Sequence, residues 1–263
     1  MQYKQKKPYF SVITVTYNSE STISQTIQSI LMQSFQNFEL IIIDGKSNDK
    51  TLEIINSFKD DFISKKITLR LFSEADDGIY DAMNKGINLS KGKIISILNS
   101  DDLYFDRNIL KIVYEGFDNN KLVSILYGNL VYFSKSPEVF NRFWVTRPNS
   151  FFNGWNPPHP STFVKKSVYS RIGLFNPHLY ISSDYEFLLR AMHINNVKSY
   201  HLDKFLVKMR QGGRSTKSIK NIFIGWKEVY SILKKNNINW AFFVLFRRIF
   251  SKILYKFKLK KYL

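Results

Sequence analysis

The chain has 263 residues, with 39 lysines and arginines against 21 aspartates and glutamates, a formal net charge of +18. Its hydrophobic fraction of 44% is enough for a full core and excludes global disorder. Cysteine is absent, which excludes disulfides, thiolate metal sites and thiol nucleophiles, while the positive charge favours anionic partners.

The opening MQYKQKKPYF has no apolar h-region, so no signal peptide is predicted. No apolar run approaches the ~20 residues that span a bilayer. FSVITVT (Phe10–Thr16) is β-branched and apolar, the pattern of a buried strand. Ile23, Ile27, Ile30 and Leu31 then recur at helical spacing. FELIIID (Phe38–Asp44) is a second strand. Ser47 is positioned to cap a helix whose apolar face is Leu52, Ile54, Ile55 and Phe58. ITLRLFSE (Ile67–Glu74) is a third strand, GIYDAMNKGINLS a short helix, and KIISILNSDD a fourth strand. This alternation predicts a mostly parallel sheet covered by helices on both faces, with right-handed connections. Between Ser124 and Phe163, strand-like stretches broken by Asn, Pro and Gly suggest a lid or a second small sheet. PHLYISSDYEFLLRAM returns to a helix, Phe205–Thr216 to strands or loops, and the chain from about Ser218 is helical.

In such sheets, ligands bind beyond the carboxyl ends of the strands. Those ends read TYN, DGKSND, SEADD and NSDD, so polar and mostly acidic residues collect at one edge. A buried strand has no use for the two charges of Asp101 and Asp102. They either cap the next helix or hold a hard divalent cation, which takes oxygen ligands and would bridge to substrate phosphates. Rival sites are missing. There is no G-x-G-x-x-G after the first strand, no G-x-x-x-x-G-K-[ST], and no H-E-x-x-H among the four histidines. A nucleotidyltransferase could also use strand-end acids, but TYNSEST lacks the glycines of a phosphate loop. A nucleic-acid-binding module would suit the net charge. Its cations, however, concentrate at the C-terminus, and the acidic edge would repel a phosphate backbone.

SVITVTYNSESTISQTIQSILMQSFQNFELIIIDGKSNDKT, together with DGIYDAMNKGINLSKGKIISILNSDD and ISSDYEFLLR, resembles the family 2 glycosyltransferases over roughly the first 215 residues. The resemblance implies a GT-A fold and inverting transfer of a sugar from a nucleotide diphosphate donor, with a UDP-sugar favoured and Mn2+ or Mg2+ as cofactor. It implies a catalytic domain over 1–217, split into a nucleotide-sugar half (1–105) and an acceptor half (106–217), and a helical extension over 218–263. It assigns Thr16, Tyr17, Asn18, Asp44 and Asn84 to the nucleotide-sugar. Asp102 becomes the metal ligand, and Asp101 a ribose or metal-shell contact. Lys46 and Asn99 stand where many members have acids.

The resemblance also makes Asp184 the general base that takes a proton from the acceptor hydroxyl, with Ser183 replacing a more usual Glu and Glu186 as runner-up. Asp184 can equally be a helix N-cap. His159 belongs to a diphosphate or acceptor loop, or is a loop histidine held by its prolines. RQGGRS reads as a loop closing over the donor, with Arg210 or Arg214 reaching a phosphate, or as a plain turn. Trp155 is read as a core or surface residue rather than a sugar platform.

From Ala241 to Leu263 there are seven basic and no acidic residues. Helical periodicity puts Phe242, Phe246, Ile249, Phe250, Ile253, Leu254 and Phe257 on one face, with Arg247, Arg248, Lys252 and Lys256 opposite. Such a helix either lies on an anionic membrane or packs its apolar stripe on the domain. The expectation is membrane contact through residues 241–263, no nucleic acid, and a cytoplasmic enzyme peripheral on the inner face of the cell membrane. Its acceptor would be a glycan or polyprenyl-linked glycan of cell-surface polysaccharide assembly.

Overall fold

Strands with both faces covered read as continuous apolar runs, and three runs here are buried at every residue: Phe10–Thr16 (β1), Phe38–Asp44 (β2) and Ile94–Ile97 (β4). The computed structural model describes residues 7–213 and 218–258, with 251–258 as backbone alone. Thr68–Ser73 (β3) completes a parallel array in the order β3-β2-β1-β4. The crossovers carry the helices Ile23–Leu31 (α1), Thr51–Ser57 (α2), Lys59–Ser64 (α3) and Ile79–Leu89 (α4). Strand order reverses between β1 and β4, the switch point beyond whose carboxyl ends ligands bind in such sheets. Ser47 does not cap α2, whose N-cap is Lys50. Its hydroxyl is turned back onto Asp44.

The stretch expected as a lid or second sheet instead extends the first one. Ile125–Phe133 (β6) and Thr162–Lys165 (β8) join β4 through antiparallel pairing. Ser199–Arg210 (β9) runs parallel to β6. Leu103–Tyr104 (β5) and Phe140–Trp144 (β7) pair with β9 and β6. The physical reason is burial: β6 has only one residue that is not fully buried, and a lid strand would keep one face wet. The parallel first half therefore continues into a mixed second half.

Two apolar layers cover the sheet. One packs α1, α2 and Ile109–Asn119 (α5) against Val12, Leu40 and Ile94. The other gathers α4, the helices Lys166–Ile172 (α6) and Ser183–Leu188 (α7), and the two C-terminal helices Ile219–Lys235 (α8) and Ala241–Lys258 (α9). Val229, Ile232, Leu233, Ala241 and Val244 sit in the same cluster as Ile13, Val15 and Tyr185. The C-terminal extension thus shares the core of the sheet.

Candidate active site

The β1 and β2 ends are tied to each other by their loops. Asn18, held at a positive φ of 47°, donates its backbone N–H to Ser47 Oγ (2.8 Å), and its Oδ1 accepts from Asn48 N (3.0 Å). Ser19 N donates to Thr51 Oγ1 (2.7 Å), and Lys50 N to Glu20 (2.9 Å). Asp44 is fully buried and accepts from Ser47 N (3.0 Å), Ser47 Oγ and Ser73 Oγ (2.6 Å). A carboxylate with these donors is a fixed acceptor at the strand end. Tyr17 stands out at 61% exposure beside Gly45, and Thr16 Oγ1 is buried without a hydrogen-bond partner.

Asp101 and Asp102 lie across the switch point. Asp102 is 1% exposed. Its Oδ1 accepts from Arg210 N and its Oδ2 from Asn99 Nδ2, both at 3.2 Å. Burial pushes the Asp102 carboxyl well above the usual carboxylate range, and the neighbouring charge of Asp101 pushes it further. Burial likewise raises Asp101, opposed in part by the Arg210 guanidinium. Among the described residues, no lysine or arginine nitrogen forms an ion pair with either acid. Asn99 Oδ1 and Arg210 Nε are buried with no partner. Asp101, Asp102 and Asn99 Oδ1 form an oxygen donor set suited to a hard divalent cation, whose charge would relieve the crowded carboxylates. Among the described residues, no group of three His, Asp or Glu could hold one unaided, so diphosphate oxygens would complete its shell. Arg210 is the last residue of β9 rather than part of a free loop: its Nη2 donates to Gln25 Oε1 (2.7 Å) and its guanidinium lies over Phe133. Arg214 lies outside the described residues.

Asp184 occupies the first turn of α7. The N-cap is Ser182, so Asp184 is not the cap. Its Oδ1 accepts from Tyr185 N (2.8 Å) and faces the Tyr80 hydroxyl (3.4 Å), which also donates to Ile181 O. Burial pushes the Tyr80 phenol well above its ordinary range, and the Asp184 charge adds to this, so Tyr80 remains a proton donor beside the carboxylate. His159 stands edge-on to Phe175; burial lowers its pKa while the Asp184 charge opposes the shift, which places it on the Asp184 side. Glu186 is engaged elsewhere. Arg190 donates to both its oxygens (2.8 and 2.9 Å) and to the carbonyls of Ile172 and Leu174. Trp155 donates its ring N–H to Thr146 Oγ1 (3.0 Å) and packs against the core, as expected of a structural aromatic.

Asn84 departs from its expected donor-facing role. Its Nδ2 donates to Phe175 O (2.9 Å) and its Oδ1 accepts from Phe175 N (3.0 Å), so the amide staples α4 to that loop. Two residues on the Asp184 side escaped sequence reasoning. Tyr80 stands in GIYDA, a motif already singled out, but no spacing links it to Asp184, 104 residues away. Glu228, on α8, accepts from Tyr180 N (2.6 Å), Ile181 N (3.0 Å) and Ser182 N (2.9 Å), clamping the backbone that delivers Asp184.

Residues 11–173 match the family described as glycosyl transferase family 2, which takes in both the strand-end loops and Asp101–Asp102. The chain belongs to glycosyltransferase family 2. This glycosyltransferase is 28% identical over 184 residues to a PGL/p-HBAD biosynthesis glycosyltransferase of Mycobacterium bovis, a stretch covering 70% of each chain. Its fold is similar to that of the mannosyltransferase PcManGT of Pyrobaculum calidifontis, solved in complex with GDP-Man and Mn2+. The TM-score is 0.66 at 18% identity, covering 92% of this chain and 70% of that one. S. aureus TarS 1-349 in complex with UDP-GlcNAc gives 0.65 at 20%, covering 85% and 65%. The chain spans 39% of the longer TarS chain. These likenesses establish the GT-A fold.

A buried carboxylate beside a half-buried one should oppose folding when no cation is present. Asp102→Asn keeps an acceptor for Arg210 N, and a flipped Asn99 amide would accept from the new Nδ2. The variant is expected to raise the unfolding midpoint in EDTA at neutral pH by about 2–4 °C, the shift that ~1 kcal/mol produces in a chain of this size. The gain should vanish at acid pH, where the wild-type carboxyl is protonated. Calorimetry across pH checks this; a lowered midpoint at neutral pH would show the pair to be stabilising.

Proposed function

We propose that this glycosyltransferase is a metal-dependent, inverting hexosyltransferase. It would use a nucleotide-diphosphate sugar, with a UDP-sugar favoured, and build onto a glycan or polyprenyl-linked acceptor in cell-surface polysaccharide synthesis. The observation that carries the reading is the Asp101–Asp102 pair, half-buried and buried, beside Arg210 at the switch point of a GT-A sheet. Neighbours of the same fold were solved with UDP-GlcNAc and with GDP-Man and Mn2+.

Thr16, Tyr17 and Asn18, on the braced β1 loop, line the nucleoside side, with Asp44 behind them as a fixed acceptor. Asp102, with Asp101 and Asn99 Oδ1, would hold Mn2+ or Mg2+. When bound, that ion neutralises charge on the diphosphate. Arg210 supplies a permanent cation to the same group. On the opposite side, Asp184 accepts the proton of the acceptor hydroxyl as its oxygen bonds to the anomeric carbon and the bond to the diphosphate breaks. Tyr80, whose proton goes to Ile181 O, packs its hydroxyl 3.4 Å from the Asp184 carboxylate and limits where it can turn, and His159 lies within electrostatic reach of it. Asp184→Asn is therefore expected to bind donor normally and to lose transfer by about 10²–10⁴-fold. Near-full turnover by that variant would remove Asp184 as the base.

The last helix supports the membrane reading in an altered form. Among the described residues no helix is long and apolar enough to cross a membrane. Trp240, Phe242, Phe243, Phe246 and Phe250 are all more than half exposed, and Arg247 is exposed among them. An aromatic face with cations beside it suits the interface of an anionic leaflet, and so a peripheral, cytoplasmic-face enzyme. Side chains beyond residue 250, including Lys252, Ile253, Leu254, Lys256 and Phe257, lie outside the described residues. Replacing Phe242, Phe246 and Phe250 together by Ser should weaken partitioning onto phosphatidylglycerol vesicles about 10-fold or more without changing the unfolding midpoint. Undiminished vesicle binding would refute this surface.

A further inference from the structure

The last helix has a second side. Ala241, Val244, Leu245 and Arg248 recur at i, i+3, i+4 and i+7 and face the core. Arg248 was expected on the polar face; it points inward instead. Its Nη1 donates to Asn156 Oδ1 and lies 3.4 Å from Gly154 O, and its guanidinium carbon sits 4.5 Å above the centre of the Tyr185 ring.

The seat is built for this helix. Gly154 has a φ of 74°, and a Cβ there would lie 2.4 Å from Arg248 N and 2.5 Å from Arg248 Cα. Only glycine suits both the backbone angle and the contact. Burying a guanidinium is costly unless its surroundings compensate. Burial does lower the Arg248 pKa, while the Tyr185 ring and the Asp184 charge act the other way. The cation is therefore held within electrostatic reach of Asp184.

We propose that Arg248 is a positioning residue for Asp184, so that the C-terminal helix forms part of the acceptor side of the active site as well as a membrane-facing surface. The inference rests on the reading of Asp184 as the base. The chain of contacts is short. Arg248 holds the Tyr185 ring, Tyr185 N donates to Asp184 Oδ1, and Asp184 is thereby aimed. Glu228 fixes the same segment from its other end, through the N–H groups of Tyr180, Ile181 and Ser182. One acid and one base from the extension thus bracket the turn that carries the catalytic carboxylate.

The test uses the full chain in detergent without vesicles, so that membrane anchoring plays no part. Arg248→Met, Arg248→Lys and Asp184→Asn are compared with wild type. Turnover is followed as nucleoside diphosphate release from UDP-N-acetylglucosamine and from GDP-mannose, alongside donor Kd, unfolding midpoint and amide hydrogen exchange at Tyr185. Arg248→Met is expected to lower kcat by about 10²-fold, the cost of an ångström-scale misplacement. Donor Kd should be unchanged, Tyr185 N should exchange faster, and Arg248→Lys should recover most of kcat. Wild-type kcat and exchange in Arg248→Met, with Asp184→Asn inactive, would overturn the inference and leave the base assignment standing. Full turnover by Asp184→Asn would instead remove the base assignment, and the inference with it. If wild type releases nucleotide from neither donor, exchange at Tyr185 decides alone, and unchanged protection in Arg248→Met overturns the proposal.

Discussion

Two adjacent carboxylates at the end of a buried strand are the constraint around which this molecule is arranged. Water is excluded from Asp102, and Asp101 repels it. The protein answers with a backbone N–H from the far end of β9, the Asn99 amide and a guanidinium held a little way off on Phe133. None of these neutralises the pair. The arrangement is stable enough to fold yet leaves negative charge uncompensated, which a divalent cation would relieve. Bringing Arg210 there requires β9 to run the length of β6, so the mixed half of the sheet exists in part to close this corner.

The site is divided by rigidity as well as by chemistry. At the β1 and β2 ends, interlocking loop hydrogen bonds fix the backbone. Across the sheet edge, the Asp184 carboxylate sits on a single helical turn that depends on distant elements: Tyr80 from α4, Glu228 from α8 and Arg248 from α9. A short helix cannot aim a side chain alone, because its geometry is costly to nucleate and its ends fray. Support from three other helices holds it in place.

Much of this was legible in the sequence. β1, β2 and β3 follow directly from period and β-branching, and the strand-end acids collect at one edge because a parallel sheet places its carboxyl ends together. Less was legible where long-range pairing decides. The β6 and β8 runs resemble edge or lid strands until β4 and β9 are seen to cover both sides of them. Asn84 sits on a motif helix, and only the tertiary fold shows its amide committed to Phe175. The tail illustrates the limit most sharply. Periodicity correctly reveals an amphipathic helix, but amphipathicity cannot say which side docks. The aromatic stripe faces out, and the narrower stripe of Ala241, Val244 and Arg248 faces in, because Gly154 offers a seat only to the latter.

The most direct test of the account is the position of the metal. Crystals grown with UDP and Mn2+, with data collected at the manganese edge, should show one anomalous peak between the Asp102 carboxylate and the diphosphate, with Asn99 turned toward it. Bound UDP with no manganese peak at Asp101 and Asp102, or with the peak elsewhere, would contradict the claim that the acid pair is there to hold a cation for the donor.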